Sequence, residues 1–318
     1  MAFIVNILGS GSAKPSTRRH QPAQLVIHGA TKMLVDCGEG TQLQLCKQHI
    51  GIQTISHIFI SHLHGDHFFG LIGLLSTQSL LGKQSPTIVY AHAPLLPILQ
   101  QQIEVSGQEL KFQLDFRPLP ESGLLFKHNK FEVHTFPLKH GIPANGFLFA
   151  ETIGKRKFKP NVVKSLRIPI AKLGAIQAGA DFVDANGTLH RNEEITLPPT
   201  PPTSYAYCSD TAYYPEIVPH IKNVNVLYHE ATFAEERVDI ADSRFHSTAR
   251  QAAMIAQQAG AGKLILGHFS SRYKTYETLL AEAQEVFLNT VLAEEQVFFS
   301  THENESVPDH YLRKNEQN

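Results

Sequence analysis

Hydrophobic residues recur along this chain in short runs first and at helical spacing afterwards. Phe3 to Leu8 is an apolar run that stops at Gly9-Ser10-Gly11-Ser12. Gln24 to Ile27 and Lys32 to Val35 follow, joined by a turn at Gly29-Ala30. Such runs, bounded by glycine and small polar residues, predict strands. Asp36-Cys37-Gly38-Glu39-Gly40-Thr41 then leads into a predicted helix carrying Leu43 and Leu45. Ile55 to Ser61 is a further strand, ending abruptly at His62-Leu63-His64-Gly65-Asp66-His67, with a helix expected over about Phe68 to Leu81. Strands at Thr87 to Tyr90 and Glu132 to Phe136 flank a helix near Pro94 to Gln102.

In the second half, Tyr205 to Cys208, Val224 to Tyr228 and Lys263 to Leu266 read as strands. Ser247 or Thr248 supplies the N-cap of a helix that ends near Gly260. Tyr273, Tyr276, Leu279, Leu280, Ala283, Val286 and Phe287 lie at helical spacing and predict a last amphipathic helix. The chain is polar from about residue 301 to 318, as a loosely held tail would be. Strands and helices are mixed without the strict alternation of a doubly wound sheet, and no repeat occurs at solenoid spacing.

One stretch departs from this pattern. Lys155, Arg156, Lys157, Lys159, Lys164, Arg167 and Lys172 fall within eighteen residues that contain no acidic one, with Phe158, Val162, Val163, Leu166 and Ile168 interspersed. The segment closes on Pro198-Pro199-Thr200-Pro201-Pro202. Residues 151 to 203 therefore read as an arm inserted into one domain that otherwise spans residues 1 to 318.

With 318 residues, 42% apolar and 18% charged, the chain can bury a large core, which excludes disordered and fibrous classes. No apolar run approaches the roughly 18 residues that cross a bilayer, so no membrane association is expected. The N-terminus lacks the basic and apolar regions of a secretory signal, and Cys37, Cys46 and Cys208 are too scattered for a disulfide framework, which fits a cytoplasmic protein. The net charge of -1 argues against a globally basic nucleic-acid coat. Without the seven cations of residues 155 to 172 it becomes -8, so the basic character is local.

Histidine is abundant, at 18 residues. His62-x-His64-x-Asp66-His67 places four metal-ligand side chains in six residues directly after a strand. Adjacent Asp66 and His67 do not easily share one small coordination sphere, so two metal ions side by side are expected. His140, Asp210 and His268 each follow a predicted strand and complete a set of five histidines and two aspartates. Gly9-Ser10-Gly11 reads as a tight turn, since the further glycine spacing and the helix of a nucleotide-binding loop are absent.

HLHGDH, with the later His, Asp and His at strand ends, resembles the metallo-β-lactamase superfamily. DCGEGTQLQL, SHLHGDHFFGL, PLKHGIPANGF, YCSDT, HEATF, FHSTARQAA and LGHFSSRY occur in that order along nearly the whole chain and resemble the successive motifs of the ribonuclease Z family. The resemblance implies an α+β fold, an αββα four-layer sandwich of two sheets flanked by helices. It implies two Zn2+ per subunit, with Mn2+ or Fe2+ compatible with the same ligands: His62, His64 and His140 on one ion, Asp66, His67 and His268 on the other, and Asp210 bridging. Asp66 is implied as proton acceptor, with His246 and Glu230 as a supporting catalytic pair. The implied substrate is precursor tRNA, cut to leave a 3′-hydroxyl, and the implied assembly is a homodimer. The resemblance also implies that the basic arm takes the place of a tRNA-gripping exosite and that Arg18 and Arg19 fall in a loop beside the RNA 3′ end. The alternatives are a small-molecule metallo-hydrolase acting on a cyclic nucleotide, sulfate ester or thioester, and a tRNA-binding module that has lost catalysis.

Overall fold

A computed structural model of the chain describes residues 2–107 and 109–302. It divides into two compact units: one through Lys127, with Glu132–Ala150 and the chain from Thr203 onward, the other His128–Phe131 and Glu151–Pro202. The tail expected at about 301–318 lies, from residue 303, outside the described residues.

In the larger unit the chain begins with β1 (Ile4–Gly9), β2 (Ala23–His28), β3 (Thr31–Val35), α1 (Thr41–Lys47), β4 (Ile55–Phe59), α2 (Gly65–Phe68), α3 (Leu71–Leu80), β5 (Thr87–Ala91), α4 (Leu95–Val105) and β6 (Leu114–Pro118). Next come β7 (Gly123–Lys127), β8 (Phe131–Leu138) and β9 (Ala144–Glu151). The smaller unit holds β10 (Lys157–Phe158), α5 (Val162–Ser165), α6 (Ile170–Gln177), β11 (Phe182–Val183), β12 (Leu189–His190), α7 (Asn192–Ile195) and β13 (Thr196–Leu197). The larger unit resumes with β14 (Ser204–Cys208), β15 (Val226–Glu230), α8 (Val238–Ser243), α9 (Ala249–Ala259), β16 (Lys263–Gly267), α10 (Glu277–Gln284), β17 (Thr290–Leu292) and β18 (Phe298–Ser300).

Two seven-stranded sheets result, ordered β18-β1-β2-β3-β4-β5-β6 and β17-β16-β15-β14-β9-β8-β7. Each is mixed: β3 to β6 and β14 to β17 run parallel, while β1, β2, β9 and β18 pair antiparallel. The period of two along a strand decides which layer each side chain joins. Leu25, Ile27, Ile58 and Ile60 enter a cluster with Leu45 of α1, Leu71 and Leu74 of α3 and Leu95 of α4. The intervening positions face the other sheet. Phe59 meets Phe147 and Phe149 with ring centroids 5.5 and 5.6 Å apart, and Tyr205 donates its hydroxyl to Gln24. On the far face α9 packs its small side chains, Ala252, Ala253 and Ala256, against β15 and β16. The order of layers is thus helix, sheet, sheet, helix. Thr248 caps α9 through a reciprocal bond pair with Gln251, and Gly260 ends it at φ 65°. Among the described residues no helix is long and apolar enough to cross a membrane.

The smaller unit has its own core. Ile168, Ile176, Phe182 and Ile195 are buried together, with Phe158, Val162, Val163, Leu166 and Leu173 packed on them. The apolar residues interspersed among the arm's cations therefore order it internally.

The structure departs from the sequence reading at two helices. The run from Phe68 to Leu81 is broken at Gly70, whose N–H donates to Cys37 O over 2.9 Å. A Cβ there would stand 2.2 Å from Gly38 O, so the break follows from the close approach of two backbone segments. The last helix begins only at Glu277, because Tyr276 stacks on Phe269 and the Tyr273 hydroxyl accepts from Ala234 N–H. Strand β9 was hidden by Asn145 and Gly146. Asn145 is buried because its amide donates to Pro120 O, Glu121 O and Thr135 Oγ1. Replacing Gly70 with alanine should force these segments apart and lower stability by about 1–3 kcal/mol, read as a lower urea midpoint with unchanged slope.

Candidate active site

Strands β4, β14, β15 and β16 deliver Ser61-His62, Ser209-Asp210, Glu230 and His268 from their C-terminal ends, and the turn after β8 delivers His140. Three residues at these ends hold left-handed backbones, Asp36 (φ 56°), Asp210 (φ 42°) and His268 (φ 56°). Non-glycine residues adopt that region at a cost that surrounding contacts must offset, and such strain concentrates at functional sites.

All seven sequence-predicted ligands converge. One group comprises His62, His64, His140 and Asp210, a second Asp66, His67 and His268, and in each the potential ligand atoms lie within 4.8 Å of one another; adjacency therefore does not keep Asp66 and His67 apart as expected, since Asp66 Oδ2 lies 3.4 Å from His67 Nε2. His64 Nδ1 lies 3.1 Å from both His62 Nε2 and His140 Nε2. Asp210 stands between the groups. Its Oδ2 faces His62 Nε2 at 3.6 Å and His140 Nε2 at 3.8 Å, while its Oδ1 faces His67 Nε2 at 3.3 Å and His268 Nε2 at 3.0 Å.

The inward-facing atoms match a cation site. Asp66 Oδ2, His67 Nε2 and His268 Nε2 are buried without a hydrogen-bond partner, an arrangement that a coordinated ion would complete. The outward ring nitrogens are occupied. His67 Nδ1 donates to Asp36 Oδ2 over 2.7 Å and His140 Nδ1 to Phe245 O over 3.0 Å. Thr232 Oγ1 lies 2.9 Å from His268 Nδ1 and donates to Glu230 Oε2. Each such bond fixes a tautomer and aims the opposite nitrogen inward.

Electrostatics sharpen the picture. Burial depresses His62, and the neighbouring His67 adds to that effect. Burial alone would raise the carboxyl groups of Asp66 and Asp210, but the surrounding imidazoles outweigh it and hold both low. The well therefore combines ionised carboxylates with imidazoles, the donor set of borderline divalent cations.

His246 and Glu230 form the expected pair, with Nδ1 2.8 Å from Oε1. Burial works against a charged His246, yet the Glu230 carboxylate overrides it and pushes the pKa up to about 9. The imidazole lies 5.4 Å, ring centre to ring centre, from both His140 and His268. Glu230 is fully buried and anchored by the Thr211 and Thr232 N–H groups; burial works to raise its carboxyl, but the charge and hydrogen bond of His246 outweigh that and hold it low.

The other predicted residues separate. Lys155, Lys157, Lys164, Arg167 and Lys172 are exposed on the smaller unit. Arg156 donates to Thr196 Oγ1 and Lys159 to Glu193 O, so these two bind the arm's own framework. Arg18 is exposed and donates to Lys274 O. Arg19 turns inward: its guanidinium lies over Phe269 and Tyr276, 4.9 and 4.6 Å from the ring centres, and donates to Ala293 O. Sequence reading missed two supporting residues, Asp36 and Thr232. Both stand inside the quoted motifs DCGEG and HEATF, but only the fold brings them behind His67 and His268.

This arrangement of strand ends and ligands defines the metallo-β-lactamase fold. The metallo-β-lactamase fold protein YhfI of Bacillus subtilis matches at TM-score 0.67 and 18% identity, over 94% of this chain and all of its own. The short form of human tRNase Z matches at TM-score 0.68 and 28% identity, over 94% of this chain and 99% of its own. A family model described as Anti-Pycsar protein Apyc1 matches residues 3–158. Ribonuclease Z of Bacteroides fragilis is 41% identical over 300 residues, covering 94% of this chain and 99% of the relative. That of Porphyromonas gingivalis is 42% identical over 298 residues, covering 93% and 98%. The chain belongs to the ribonuclease Z family.

Replacing Asp36 with asparagine should free the His67 ring to rotate and weaken metal binding about 10- to 100-fold, measured by competition with a chromophoric chelator.

Proposed function

We propose that this protein is a metal-dependent endoribonuclease that removes 3′ trailers from precursor tRNA and leaves a 3′-hydroxyl on the tRNA. The observation that carries the reading is the split of Asp210 between two ligand groups, in a chain about 40% identical to proteins named ribonuclease Z along nearly its full length. His62, His64 and His140 would hold one zinc ion, Asp66, His67 and His268 the second, with Asp210 shared; manganese or iron would suit the same donors. Bound there, the ions supply Lewis acidity toward the phosphodiester and acidify water.

The chain's own groups then divide the proton work. Asp66 accepts a proton from the water that attacks phosphorus. The bond from phosphorus to the tRNA O3′ breaks, and the trailer keeps the phosphate. His246, held protonated by Glu230, donates from Nε2 to the departing O3′ and so yields the hydroxyl. Thr232 and Asp36 orient His268 and His67. The exposed cations of the arm grip phosphates of the tRNA body, and a homodimer lets one subunit's arm hold a tRNA whose end lies in the partner's site. Three cysteines without a disulfide fit the reducing cytoplasm where tRNA matures.

Asp66→Ala and His64→Ala should each abolish cleavage of a trailer-bearing precursor while tRNA binding survives in a gel-shift assay. Full turnover by Asp66→Ala would sink the assignment. Deleting the arm would also remove its core, so neutralisation is the cleaner test. Changing Lys155, Lys157, Lys164, Arg167 and Lys172 together to glutamine should lower tRNA affinity about 10- to 100-fold at physiological salt and flatten its salt dependence, with kcat retained. Unchanged affinity would show that the arm makes no contact with tRNA.

A further inference from the structure

Helix α8 ends in a turn that leads directly into His246. Two nested backbone bonds close it: His246 N–H donates to Ala241 O over 2.9 Å, and Phe245 N–H donates to Asp242 O over 3.2 Å. This bond pair requires a left-handed residue just past the helix, a place that glycine usually fills. Helix α9 is closed by the same pair, from Ala261 N–H to Ala256 O and from Gly260 N–H to Gln257 O, with Gly260 at φ 65°. At the end of α8 the left-handed residue is Phe245, at φ 56°. A bulky side chain crowds its own backbone in that region, so glycine would close the turn with less strain.

The peptide that joins Phe245 to His246 is held at both ends. Its N–H closes the helix, and its oxygen accepts from His140 Nδ1 over 3.0 Å. His140 then turns Nε2 toward His64 Nδ1, 3.1 Å away, and toward Asp210 Oδ2. His246, the next residue, places Nδ1 2.8 Å from Glu230 Oε1. One turn thus governs a member of the first ligand group through its oxygen and the neighbouring imidazole through the chain itself. Burial does not account for the aromatic ring, which is 40% exposed. The ring lies instead against the turn that carries His140: a Cβ on Gly141 would stand 3.7 Å from Phe245 Cδ2.

We propose that Phe245 is a positioning residue whose ring braces the end of α8 against the His140-Gly141 turn, and so fixes the spacing between the ligand His140 and the proton donor His246. The role given to His246 rests on the reading of function above; the hold on His140 does not. The left-handed backbone aims the Phe245 oxygen at His140, and the ring keeps the two turns from sliding past each other. A ligand held through a hydrogen bond on its outer nitrogen is only as well placed as the group that accepts that bond. Strain retained at such a turn is the mark of a conformation that surrounding contacts select for a purpose other than stability.

The test sets Phe245→Gly against Phe245→Tyr. Glycine suits the left-handed turn, so Phe245→Gly should hold or raise the urea midpoint. Its kcat on a trailer-bearing precursor should nonetheless fall about tenfold, with KM within about twofold of the wild type. Competition between the metal-free protein and a chromophoric chelator should show zinc affinity lowered about tenfold. Phe245→Tyr, which keeps a ring against Gly141, should recover most of both losses. Wild-type kcat and zinc affinity in Phe245→Gly would overturn the proposal. So would losses that come with a lowered urea midpoint, which mark a merely structural role, or a raised KM at unchanged kcat, which puts the ring against substrate. Zinc affinity that falls in one variant and recovers in the other, in a protein that cleaves no precursor tRNA, would defeat the reading of function and leave the hold on His140 standing.

Discussion

Asp210 is 3% exposed and faces four imidazoles with its two oxygens. A buried carboxylate is tolerated only where positive charge or donors compensate its lost hydration. Here the compensation comes from residues after three strands, β4, β8 and β16, so the position of one side chain depends on both sheets being correctly stacked. The stacking in turn rests on Phe59, Phe147 and Phe149, whose rings set the distance between the sheets that carry the two halves of the ligand set. Asp36 ties these demands together. Its oxygens accept from Ser61 N–H and Oγ on one sheet, from the Tyr207 hydroxyl on the other, and from the ligand His67.

Much of this was legible in the sequence, for identifiable reasons. The seven converging side chains were legible because four of them crowd one hexapeptide after β4 and the other three each follow a strand, where a polar residue has no packing role to explain it. The short parallel strands were legible because both faces are covered and their residues read as continuous apolar runs. What escaped were features fixed by a distant partner. Asn145 looks like a loop residue until Pro120 O and Glu121 O are placed beside it. Tyr276 fits a helical stripe, yet its ring covers Phe269 and the Arg19 guanidinium. Asp36 reads as a turn residue, because nothing local signals a histidine thirty-one positions further on.

Charge behaves in the same way. A count of basic residues treats Arg19 and Lys155 alike, but one lies over two aromatic rings and the other stands in water. Among the seven cations of residues 155 to 172, Arg156 and Lys159 bind the arm's own framework and leave five outside. The functional quantity is therefore the number of cations without an internal partner, and where they stand.

The pairing of β18 with β1 has a consequence for how the protein is made. Ile4, Val5 and Asn6 lie opposite Ser300, Phe299 and Phe298, and the Thr301 hydroxyl accepts from Phe3 N–H. A ribosome must synthesise nearly three hundred residues between the two partners. Throughout that interval β1 presents an unpaired edge, the kind of surface on which sheets from different chains join. Every strand of the first sheet except this last one is complete long before Asp210 and His268 emerge. The nascent chain thus waits with one sheet nearly formed and its outer edge bare, and the arrival of its final strand seals that edge only after His268 has been made.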